Sequence, residues 1–125
     1  MFPVITNKTG DGLITLSKHP IVLKENITFK KSKCSGFDCM AKKGALLTRI
    51  KLKDGVEIDI LNTHFQSGES KKIRSFRMSQ AMEMGDFKRK MNVGNAFIAG
   101  GDYNSQPIKE EYPLILQELN AYDAW

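Results

Sequence analysis

The chain has 125 residues, 41% hydrophobic and 26% charged, with a formal net charge of +5. This length holds one small domain with a buried core and excludes two, while the apolar and charged content excludes a disordered chain. No apolar run approaches the ~20 residues that cross a bilayer, and the positive charge favours phosphate-bearing partners without choosing between nucleic acid and a lipid surface.

Met1 to Asn7 has no basic head and no long apolar stretch, so no signal peptide is visible there. Gly12 to Ser17 reads as a short strand, His19-Pro20 as a turn, and Ile21 to Phe29 as a second extended segment. Lys30 to Phe37 is polar and contains glycine, which predicts a surface loop. Cys34 and Cys39 lie five positions apart. A zinc site would want more ligands than His19 and His64 can add, and a disulfide closing so small a loop is geometrically demanding. Two free thiols in a reducing compartment are therefore expected.

Gly44 to Leu52 and Val56 to Thr63 read as strands joined at Lys53-Asp54-Gly55, because Asp-Gly between apolar runs is a hairpin signal. Ile73 to Met91 has the spacing of an amphipathic helix, with Ile73, Phe76, Ala81, Met84, Phe87 and Met91 near one face and Arg and Lys on much of the other. Its methionines are expected to fill core space. Asn95 to Ala99 is predicted as a short buried strand and Glu110 to Leu119 as a second helix, with Pro113 in the first turn. The expected fold class is α/β, helices packed on a sheet.

Two segments carry the chemistry. Asn62-Thr63-His64 and Gly101-Asp102-Tyr103-Asn104 each follow an apolar run, so each sets polar side chains where a strand ends. Cutting a phosphodiester requires an oriented water relieved of a proton, neutralised phosphoryl oxygens and a stabilised leaving oxygen. Asp102 can orient or deprotonate the water. Asn104 can donate to a phosphoryl oxygen, sharing a face with Asp102 if the chain is extended. His64, when protonated, can donate to developing negative charge. Gly100-Gly101 allows close backbone approach. An Asp-x-Asn by itself is usually a turn, and a His at a strand end is usually structural. It is their combination, in this order of elements, that points to catalysis.

The segments Gly12 to Ile21, Lys43-Gly44, Asn62 to Gln66, Arg77 to Gln80 and Phe97 to Ser105 occur in the order seen in the endonuclease/exonuclease/phosphatase superfamily, which the chain resembles over nearly its whole length. Asp38 to Gly44 resembles the Asp-x4-Lys-Gly element of the neutral sphingomyelinases, whose Asp and Lys are thought to pair and organise the site. The resemblance implies a two-sheet α/β sandwich and a metal-dependent phosphodiester hydrolase acting on sphingomyelin or another phospholipid at a membrane surface. His64, Asp102 and Asn104 would be catalytic, and Asn62, Asp38 and Lys43 would organise the site. A nuclease or inositol-phosphate phosphatase of the same superfamily, with nucleic acid as a possible partner, is the first alternative. A catalytically inactive, phosphate-binding fragment is the second.

The resemblance also implies magnesium or another divalent cation, held in such domains by an early Asn and Glu and closed by a later Asp-His. None of these is recognisable here, so the metal ligands are unassigned. Residues 1–125 are accordingly expected to be the central and later portion of one domain, truncated at both ends. By itself the chain is expected to be nearly inactive.

Overall fold

The computed structural model describes residues 5–6, 11–30, 34 and 36–124, with 5, 6 and 38 as backbone alone. The strands are β1 (Ile5–Thr6), β2 (Ile14–Thr15), β3 (Ile21–Thr28), β4 (Gly44–Lys51), β5 (Glu57–His64) and β6 (Ala96–Asp102), and the helices α1 (Lys71–Met91) and α2 (Glu111–Leu119). β3 to β6 form one mixed sheet in chain order: β3, β4 and β5 pair antiparallel, and β6 joins β5 in parallel. The parallel pair requires a crossover, and α1 supplies it.

β4 is central and buried on both faces. Ala45 and Leu47 join Leu61, Phe65, Ala81, Met84, Phe87, Ile115 and Leu119 in the core beneath the helices. The alternate residues Leu46 and Thr48 are equally buried on the opposite face, where β2 lies and Thr48 Oγ1 donates to Thr15 Oγ1 at 3.3 Å. The hairpin turn falls at Lys53–Gly55 as expected, and Asp54 takes the left-handed conformation with φ 61°.

α1 starts where Ser70 Oγ accepts from the Ile73 backbone N–H and ends with Lys88, Arg89 and Lys90 in its last turn, where cations complement the helix dipole. Met84 fills core space as predicted, whereas Met78 and Met82 are exposed. α2 ends on Asn120 in the left-handed conformation.

Three sequence expectations need correction. Gly12 to Ser17 pairs as a strand only at Ile14–Thr15. The strand at 95–99 is not buried: β6 is an edge of the sheet, and its Ile98 is 57% exposed. The cysteines are not free thiols. A one-turn 3-10 helix at Gly36–Met40 folds the segment back, bringing the Cα atoms of Cys34 and Cys39 to 5.3 Å in a disulfide. No helix among the described residues is long and apolar enough to cross a membrane.

Candidate active site

Register builds the site. Thr28 pairs with Gly44, Gly44 with His64, and His64 with Asp102, so one row across four strands forms a rim of the sheet. The next residue after each of three rim positions faces the helices. Phe29, Phe65 and Tyr103 meet there edge to face, with ring centroids 5.4 Å and 5.3 Å apart. This aromatic layer supports the rim from below. Burial raises the Tyr103 phenol to about 12.

On the rim, Lys43 Nζ lies 3.1 Å from His64 Nε2 and 3.5 Å from Nδ1. His64 Nε2 lies 3.8 Å from Asp102 Oδ2. Lys43 is buried, His64 partly open and Asp102 largely exposed. A mobile anion can therefore meet an ammonium, an imidazole and a carboxylate within a few ångströms. Asp102 and Asn104 also line an open cleft of about 350 Å³ whose wall includes the Lys109–Glu69 ion pair.

Asn104 does not continue the strand, contrary to the extended geometry considered from sequence. Its φ is 48°, its backbone N–H donates to Asp102 Oδ1 at 2.9 Å, and its Nδ2 donates to the Phe65 carbonyl at 2.9 Å. The Asx turn expected of a structural Asp-x-Asn is present, and it orients Asp102 at the same time. An amide nitrogen carries two hydrogens, and the bond to Phe65 uses one. Gly101 is required here: its φ is 134°, and a Cβ would stand 2.1 Å from the Thr63 carbonyl oxygen.

Asn62 shares the His64 face of β5, but its Nδ2 donates to the Ile14 carbonyl at 3.4 Å and stays out of the rim cluster. The Asp38 backbone lies in the 3-10 turn, and its side chain falls outside the described residues, as therefore does the expected pairing with Lys43. Sequence reasoning missed a buried network behind His64. Arg77 Nη1 donates to the carbonyls of Gln66 (3.1 Å) and Gly68 (2.7 Å), Arg77 Nε donates to Glu111 Oε1 (2.7 Å), and Gln80 Oε1 accepts from the Gln66 backbone N–H (2.9 Å). The signal was available, because Arg77 falls in phase with Ile73, Ala81 and Met84 on the apolar side of α1.

No group of three His, Cys, Asp or Glu side chains capable of holding a metal forms among the described residues. At the rim, Asp102 is the carboxylate that lies 3.8 Å from His64 Nε2, and the ammonium of Lys43 is close by. Magnesium requires a near-octahedral set of oxygens, which these residues do not supply.

The chain is 31% identical over 122 residues to sphingomyelinase C of Bacillus cereus, covering 88% of this chain and 36% of the relative. Beta toxin of Staphylococcus aureus, in a doubly substituted form with bound magnesium ions, superposes with a TM-score of 0.80 at 33% identity, over 90% of this chain and 40% of that one. Over most of its length the chain is similar to sphingomyelinases. An endonuclease/exonuclease/phosphatase family protein of Bacteroides thetaiotaomicron shares the superfamily fold at a TM-score of 0.64 and 19% identity, over 94% of this chain and 46% of that one. No protein-family model matches. The chain spans 29% to 36% of the length of curated relatives from Caenorhabditis elegans and Bacillus cereus.

Proposed function

We propose that residues 1–125 form the central and later portion of one phosphodiesterase domain that hydrolyses phospholipids of the sphingomyelin type. The observation that carries this reading is the convergence of Lys43, His64 and Asp102 on one sheet rim, with Asn104 turned against Asp102. Asp102 orients the attacking water and draws off its proton. The new P–O bond forms opposite the bond to the leaving alkoxide, and the phosphorylated headgroup is released. Lys43 and Asn104 meet the phosphoryl oxygens. His64 donates to the departing oxygen. Before the phosphate arrives, Lys43 donates to the His64 ring; an incoming anion replaces that acceptor and frees both groups to donate to it.

Beta toxin of Staphylococcus aureus binds magnesium ions. Here such an ion belongs to the complete domain, held by ligands other than the rim residues. Asn62 tethers the strand that carries His64 to β2. Asp38 and Lys43 retain the site-organising role implied by the Asp-x4-Lys-Gly pattern. The exposure of Ile98 on edge strand β6 also supports a larger domain, because apolar residues of an open sheet edge are normally covered.

The test is hydrolysis of sphingomyelin by the complete domain with magnesium. Asp102→Asn and His64→Gln are each expected to lower kcat/KM by about 10²–10⁴. Variants as active as the parent overturn the residue roles, and cleavage of DNA but not lipid overturns the substrate class. Magnesium-dependent hydrolysis by the 125-residue chain alone, abolished in Asp102→Ala, overturns the need for a larger domain.

A further inference from the structure

The connection between β3 and β4 leaves the sheet at the same rim as the candidate site, since Thr28 and Gly44 belong to the row that contains His64 and Asp102. Its base is closed by the Phe29 N–H donating to the Lys43 carbonyl at 2.8 Å, and it is closed again by the Cys34–Cys39 disulfide. Within the disulfide-closed turn Phe37 is 92% exposed, and Met40, the residue that follows Cys39, is 85% exposed. Two large apolar side chains held in water on a cross-linked turn are an unfavourable arrangement unless something covers them.

Charge identifies the partner. Residues 30–42 contain Lys30, Lys31, Lys33 and Lys42 against one acid, Asp38. Protein–protein interfaces are depleted in lysine, whereas a lipid surface favours this mixture: apolar tips enter the interface while lysines meet anionic headgroups. We propose that the turn at Gly36–Met40 is a membrane-contact element that inserts Phe37 and Met40 into a phospholipid bilayer carrying anionic lipids. The inference rests on the phospholipid reading above and deepens it. A loop anchored on the rim holds the site against the surface that carries the substrate, and the disulfide keeps the apolar tips presented before contact.

Vesicle binding tests this without turnover, so it can fail independently of the catalytic proposal. The probe is phosphatidylcholine vesicles with and without phosphatidylserine, in cosedimentation with the 125-residue chain. Binding is expected to require phosphatidylserine, to weaken with salt, and to fall about tenfold in a double Phe37→Ala, Met40→Ala variant of unchanged circular dichroism. In Phe37→Trp, the added emission should shift to the blue on phosphatidylserine vesicles and be quenched by brominated acyl chains. Equal partitioning of parent and double variant, no binding by the parent, or unquenched tryptophan overturns the proposal. So does a double variant of the complete domain that loses turnover of a water-soluble p-nitrophenyl phosphodiester, because the loop would then act on the site and not on the membrane.

Discussion

Arg77 of α1 and Glu111 at the start of α2 form an ion pair with both side chains fully buried, Nη2 to Oε1 2.7 Å. The same guanidinium holds the carbonyls of Gln66 and Gly68, immediately beyond His64 and Phe65. One side chain thus ties both helices to the segment that leaves the rim. Removing one partner strands the other charge in the core. Arg77→Met and Glu111→Leu should each lower unfolding stability by about 3–5 kcal/mol. The double variant should lose less than the sum, because no charge is left unpaired. Urea titrations of the four proteins measure the coupling directly, and strictly additive losses would refute it.

Lys43 reaches His64 from the residue just before β4. In the complete domain, Lys43→Met should lower kcat on a phosphodiester by about 10²-fold, the loss typical when one charge-stabilising donor is removed. Steady-state kinetics on parent and variant decide this. A rise in KM with kcat unchanged would assign Lys43 to substrate binding alone.

Asp59 is buried on β5 and accepts from Arg49 Nε (2.8 Å), Arg49 Nη2 (3.0 Å) and Asn92 Nδ2 (2.8 Å). Burial pushes its carboxyl up, but the hydrogen bonds from Arg49 and Asn92 and the Arg49 charge together outweigh this and hold it below its ordinary value. The unfolded chain then takes up this proton first as pH falls. The pair's stabilisation is complete above the unfolded carboxylate value of about 3.9 and is lost as pH falls through the lower folded value. Asp59→Asn should be much less stable than the parent at neutral pH, and the gap should narrow below about pH 4. Urea midpoints at a series of acidic pH values check it; a gap independent of pH would contradict the assignment.

Tyr103 behaves in the opposite sense. Burial raises its phenol to about 12, and its hydroxyl has no hydrogen-bond partner among the described residues. Above about pH 10 the unfolded chain loses this proton while the folded one keeps it, so stability falls as pH rises toward the folded value. Tyr103→Phe should remove that alkaline component. At neutral pH it should be neutral or stabilising by up to about 1 kcal/mol, because it deletes a buried polar group and keeps the ring against Phe65. Thermal melts of both proteins from neutral to alkaline pH give both results. Parallel alkaline losses would count against the burial argument.

Local patterns in the chain identified the hairpin around Lys53-Asp54-Gly55, both helices and the two strand ends that carry polar residues. These features depend on neighbours within a few positions: alternation, helical spacing and turn chemistry. The expectations that failed were of another kind. Whether β6 is central or at an edge depends on strand order. Whether Cys34 and Cys39 meet depends on how the intervening turn folds back. Neither is a property of a short window.

The candidate site divides in the same way. The residue types at His64, Asp102 and Asn104, set where apolar runs end, already suit phosphodiester chemistry. Their meeting required β5 and β6 to pair in parallel with His64 opposite Asp102, and β4 to pair antiparallel with Gly44 opposite His64. A one-residue slip in either register would turn these side chains to the other face. Register is selected by burial of the whole sheet against α1 and β2, so residues far apart in the chain become neighbours only once that core has formed.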